Sequence, residues 1–127
     1  MFKSKLNKIA ERNPSMRNLI NKLDKLINEL DKKYSPEVII LHGSIASGKF
    51  AKGLSDIDII LITNYKIEPS FQLKSIDDVD VEMSIYNIDD VVLALKRRKQ
   101  YFIEAVENGY VIKGEDKVEA IRKFIQY

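Results

Sequence analysis

Four acidic residues stand in two pairs, Asp56 with Asp58 and Asp80 with Glu82. Asp56 and Asp58 open the apolar run Ile57 to Ile62, and Asp80 and Glu82 lie in an alternating segment, Val79 to Tyr86. On a strand, residues two apart point to the same side, so each pair presents both carboxylates together. Carboxylates held this close repel and raise each other's pKa unless a cation lies between them. Three of them on neighbouring strands could hold two magnesium ions about 3.5–4 Å apart, the arrangement that clamps the attacking and leaving oxygens in phosphoryl transfer. Upstream, Gly43-Ser44 supplies a residue that lets backbone approach a phosphate, then a hydroxyl and an N–H at the start of a short helical turn.

A second reading competes for the same stretch. Residues 43 to 49, GSIASGK, also have the G-x-x-x-x-G-K form of a phosphate-binding P-loop. That motif needs a Ser or Thr after the lysine, and position 50 is Phe. It also needs a helix and a parallel crossover of about a dozen or more residues. The few residues between Lys49 and Asp56, with Gly53 among them, cannot make one. The P-loop form is therefore read as coincidence.

Composition narrows the chemistry. With no cysteine and one histidine, disulfides, thiolate zinc sites and His-rich metal sites are excluded. A metal would be held by oxygen ligands, which points to Mg²⁺ or Mn²⁺. Net charge is +2, from 21 basic and 19 acidic residues, too balanced to indicate nucleic acid on charge alone. No apolar run approaches the roughly 20 residues of a membrane span, and the opening MFKSKLNKIAERNPS lacks the features of a secretory signal. A cytoplasmic location is expected. The 127 residues, 45% hydrophobic, suit one compact domain.

These acids need elements to position them. Phe2, Leu6 and Ile9 suggest a helix over 1–12; Asn13-Pro14 reads as a cap followed by proline in the first turn. Met16, Leu19, Ile20, Leu23, Leu26, Ile27 and Leu30 form an unbroken helical stripe that Ser35-Pro36 stops. Residues 37–41 and 57–62 read as strands, the second apolar on both faces and hence central. Residues 64–75 read as loop with a weak strand, and 79–86 as a half-buried strand. Asn87 caps a helix over 89–107 with a break near Lys99, ended by Gly109. A strand at 110–113 and a helix over 115–127 complete a small α/β chain.

The spacing Gly43-Ser44, Ala46, Gly48, Ser55-Asp56-Ile57-Asp58, with an apolar strand on each side, resembles the nucleotidyltransferase superfamily that includes DNA polymerase β, the CCA-adding enzymes and the minimal nucleotidyltransferases. The resemblance covers residues 37 to about 86 well, and the short chain looks most like the minimal branch. It implies a small mixed β-sheet flanked by helices: N-terminal helices over 1–35, a catalytic core over 36–113 and a C-terminal helix over 114–127. It implies Mg²⁺ (or Mn²⁺) and transfer of a nucleoside monophosphate, AMP from ATP in the first instance, to a hydroxyl of a protein or nucleic-acid acceptor. Gly43, Ser44 and Ser55 would bind nucleotide, Asp56 and Asp58 metal, and a third acid would bind metal and help activate the hydroxyl. Residue type favours Asp80 for that role, whereas the following apolar run favours Glu82; both stay open. Ser47 stands where many minimal members carry arginine. The resemblance further implies a separate helical partner of the HEPN type, in an antitoxin-like pairing. The alternative is a non-catalytic module that binds nucleotide or partner.

Other residues carry plainer readings. His42 reads as strand-end packing rather than a substrate contact, Lys49 and Lys52 as solvated loop lysines rather than contacts to phosphate or nucleic acid, and Lys96-Arg97-Arg98-Lys99 as a soluble helix face, with RNA, DNA or an acidic protein partner as the alternative. The tyrosines at 86, 101 and 110 read as core or rim.

Overall fold

The structure, a computed structural model, describes residues 2–45 and 56–127. Helix α1 (Lys3–Arg12) leads into a 3-10 helix (Pro14–Leu19) and α2 (Ile20–Tyr34). Strands β1 (Val38–His42), β2 (Ile57–Thr63), β3 (Ser70–Ile76) and β4 (Val79–Asn87) follow, then α3 (Ile88–Lys96), α4 (Gln100–Asn108), β5 (Tyr110–Lys113) and α5 (Glu115–Arg122). The strands form one mixed sheet in the order β3-β4-β2-β1-β5. Only β2 and β4 run parallel; the other neighbours are antiparallel. This is the expected mixed sheet flanked by helices. The antiparallel β1–β2 pair needs no crossover helix, unlike a P-loop.

Each central strand is apolar on both faces because helices cover both. Ile39, Leu41, Ile57, Ile59, Leu61, Val81, Met83 and Ile85 pack with α1, the 3-10 helix and α2. Val38, Ile40, Ile60 and Ile62 pack with α3, α4 and α5. Strand β2 lies in the middle of the sheet, as its composition requires. Among the described residues no helix is long and apolar enough to cross a membrane.

Several local expectations change. The helical stripe from Met16 to Leu30 is buried throughout, but its first turns are 3-10 rather than α, a common form at helix starts. Asn13 makes no side-chain cap; its amide turns inward instead. The weak strand expected within 64–75 is a full strand over Ser70–Ile76, whose side chains are mostly exposed. The break near Lys99 is a Schellman closure: Arg98 adopts φ 58°, its N–H bonds the Leu95 carbonyl at 3.2 Å, and the Lys99 N–H bonds the Ala94 carbonyl at 3.0 Å. The last helix ends at Arg122, and Ile125 beyond it is still buried against the same face.

Gly109 does not close α4 in the left-handed form; its backbone is extended, with φ −70° and ψ 158°. Glycine is required there by contact. A Cβ would lie 2.5 Å from both the Ala105 carbonyl oxygen and Ile40 Cγ2, so α4 could not turn so tightly into β5. Gly109→Ala is expected to lower unfolding stability by about 1–3 kcal/mol through this overpacking, measured by denaturant titration.

Candidate active site on the His42–Asp58–Glu82 row

Strand register brings the chemistry together. Across the sheet, His42 pairs with Asp58, Asp58 with Glu82, and Glu82 with Leu73. Directly opposed residues share a face, and this face is the one on which Ile40 and Ile60 pack with the C-terminal helices. The pleat of β4 then places Ser84 and Tyr86 on the same side, next along the strand.

Asp58 and Glu82 share a side-chain hydrogen bond. Burial, that hydrogen bond and the negative charges of Glu82 and Asp56 push the Asp58 carboxyl up to about 7. Two carboxyl groups can bond in this way only with a proton between them. Asp56 precedes β2, is exposed, and acts on Asp58 through charge. Asp80 is exposed and pairs with Ser75, on the same face of β4 as Glu82 but two residues before it and apart from this hydrogen bond. The structure thus brings Asp58 and Glu82 into contact, keeps Asp56 close, and leaves Asp80 two residues from the row.

Gly43 lies against the same carboxylate. Its φ is +92°, and a Cβ added there would come 3.0 Å from Asp58 Oδ2. Only glycine takes this conformation at low cost while leaving room for the acid. Ser44 follows with its hydroxyl shielded from solvent. Ser55, Ala46, Ser47, Gly48, Lys49 and Lys52 lie outside the described residues.

Three further residues border the row. The His42 ring meets the Tyr101 ring edge-on, with centroids 5.6 Å apart at 77°. Burial holds the His42 imidazole below its usual pKa, with the Glu104 charge opposing, and Nδ1 has no hydrogen-bond partner among the described residues. Tyr101, on α4, is pushed up to about 12 by burial and then by the Asp58 carboxylate, while a hydrogen bond with Ser84 acts the other way. Ser84 was visible in the alternation of β4. The position of Tyr101 was not, because it depends on the Schellman closure that aims α4 across the sheet.

Among the described residues no three acidic or histidine side chains converge on one point as a complete metal cage. The donor chemistry still suits a hard divalent ion. Mg²⁺ is commonly held by one or two carboxylates with substrate phosphates completing its shell, and the Asp58–Glu82 pair with Asp56 beside it supplies such a partial set.

A family model for the nucleotidyltransferase domain matches residues 23–119. The chain belongs to this family. Family membership bears out the resemblance carried by Gly43-Ser44 and Asp56-x-Asp58. The family is that of the nucleotidyltransferase domain. Among solved structures, a nucleotidyltransferase-like protein from Exiguobacterium sibiricum 255-15 shares the fold, with a TM-score of 0.57 and 15% identity over 80% of this chain. The match spans 37% of that protein. No curated protein matches the chain in sequence.

Two outcomes follow from the geometry. The raised Asp58 pKa means that the folded state holds a proton the unfolded chain has lost between 3.8 and about 7. That stabilisation is complete below the lower value and is lost as pH rises through the upper one. With chelator present, Asp58→Asn should therefore match the parent near pH 4 and exceed it at pH 8, by about 1 kcal/mol or roughly 3–5 °C in melting temperature after allowance for solvent screening. Mn²⁺ should narrow the gap at pH 8. Gly43→Ala should cost about 1–2 kcal/mol in left-handed backbone strain and shift the Asp58 carboxyl resonance in an NMR titration.

Proposed function

We propose that this chain moves a nucleoside monophosphate, AMP from ATP in the first instance, onto a hydroxyl of a separate macromolecule: the hydroxyl oxygen bonds the α-phosphorus, the α–β phosphoanhydride bond breaks and pyrophosphate leaves, with Asp56, Asp58 and Glu82 as the acidic set. The observation that carries the reading is the register pairing of Asp58 with Glu82 directly beside Gly43. Glu82 is preferred to Asp80 as the third acid because it shares the hydrogen bond with Asp58. Bound Mg²⁺ or Mn²⁺ would neutralise the triphosphate and the charge developing on it. Asp58 and Glu82 would hold the ion once their shared proton is released. Gly43, Ser44 and Ser55 would bind the nucleotide, and a carboxylate of the row would take the proton from the incoming hydroxyl.

The acceptor is proposed to be a protein. Beside the row, Phe71 opposite Ser84 and Leu73 opposite Glu82 are 63% and 61% exposed, an apolar margin suited to polypeptide. The resemblance to the minimal branch supports a helical, HEPN-type partner in an antitoxin-like pairing. In that pairing the partner would supply the acceptor hydroxyl.

The test is transfer of label from α-³²P ATP to a co-purified partner in the presence of Mg²⁺. Asp58→Asn and Glu82→Gln are each expected to reduce labelling at least about 100-fold, and Asp80→Asn to stay within a few-fold of the parent. Loss in Asp80→Asn with activity retained in Glu82→Gln would reverse the third-acid assignment. Mg²⁺-dependent ATP binding without transfer to any partner would make the protein a binding module instead.

A further inference from the structure

A side-chain hydrogen bond from the N-terminal helices reaches the turn beside the acids. Asn13 lies where α1 passes into the 3-10 helix and is 1% exposed. Its side-chain amide donates to the Ile9 carbonyl and to the Ile45 carbonyl, each at 3.1 Å. Its own backbone is held as well: the N–H donates to the carbonyls of Ile9 and Ala10, and the carbonyl accepts from the Met16 N–H at 2.9 Å. Ile45 is fully buried in the cluster that includes Leu6, Ile9 and Met16. Ile45 comes two residues after Gly43, whose left-handed backbone lies against Asp58. A buried carbonyl deprived of its donor costs far more than an exposed one, so this contact constrains where the turn can lie.

We propose that Asn13 is a positioning residue for the nucleotide-binding turn: by holding the Ile45 carbonyl it fixes how Gly43 and Ser44 face the Asp58–Glu82 row, and through it the N-terminal helices set nucleotide affinity. The inference rests on the reading of that turn as the triphosphate site. Both N–H bonds of the Asn13 amide are committed, one to α1 and one to the turn, so the side chain is a strut with two fixed ends. An aspartate in its place would offer no donor when ionised. A serine would offer one donor on a shorter arm, which cannot reach both carbonyls at once.

The test compares the parent with Asn13→Asp and Asn13→Ser in the full chain; the serine variant carries it if the aspartate variant fails to fold. Hydrogen exchange on the ligand-free protein reads the turn, and titration calorimetry with Mg–ATP, with KM and kcat, reads the site. Expected are at least tenfold faster exchange at the Ser44 and Ile45 amides, unchanged exchange at Ile39 and Ile59, about tenfold weaker Mg–ATP binding, a matching rise in KM, and kcat within about twofold. Turn exchange equal to that of the parent would overturn the proposal. So would equal acceleration in the sheet interior, which would make Asn13 a contributor to global stability alone, and so would a loosened turn with unchanged Mg–ATP affinity. A parent that binds no Mg–ATP would overturn the nucleotide reading and the affinity half of the inference, while the tether itself would still stand or fall on exchange.

Discussion

Everything at the site depends on two like-charged side chains being forced together by backbone pairing. Strands β2 and β4 run parallel through seven register pairs, from Ile57 opposite Val81 to Thr63 opposite Asn87. The alternate residues of both strands lock into the core shared with α1 and α2. A slip of one residue would turn that apolar set outward, so the register is held by the core, not by the acids. Asp58 and Glu82 must then occupy adjacent positions whatever their charge. The proton they share in the absence of a cation is the direct result.

The surroundings of that pair come from both ends of the chain. Gly43 leaves room beside the carboxylate, and Asn13 links the following residue pair to the N-terminal helices. On the opposite flank, α4 brings Tyr101 against His42 and Phe102. The covering helices leave the outer strand open, so one margin of the row is aromatic and packed while the other, at Phe71 and Leu73, faces solvent.

Much of this was legible in the residues. The alternation of Val79 to Tyr86 gave β4 and its polar face, the unbroken apolar run gave the central β2, and Asn87 does accept from the Asp89 N–H at 2.8 Å to start α3. The third acid could not be chosen from composition, because Asp80 and Glu82 have the same parity. Only the pairing register distinguishes them, and register is a property of two strands. Strand β3 read only as a weak strand because it lies exposed at the sheet edge and has no buried face to set a strong pattern, and Asn13 was misread because a capping amide and an inward-facing tether look alike in one dimension. Gly109 shows the reverse case. Its place at the helix end was readable, while the reason, contact with Ile40 and the Ala105 carbonyl, is tertiary.

The strand connections also say when this site can exist during folding. Strands β3 and β4 form a local hairpin closed at Asp77 and Asp78, both with positive φ, the twist that suits a tight two-residue turn. Strands β1 and β2 likewise pair as sequence neighbours. The acids, however, lie one on each hairpin, and only the non-local parallel seam joins them. Long-range pairing of that kind carries the larger loop-closure entropy and tends to form after local contacts. A nascent or partly folded chain, even with both hairpins made, would therefore have no acidic row, and the electrostatic repulsion between Asp58 and Glu82 would arise only as the two halves dock.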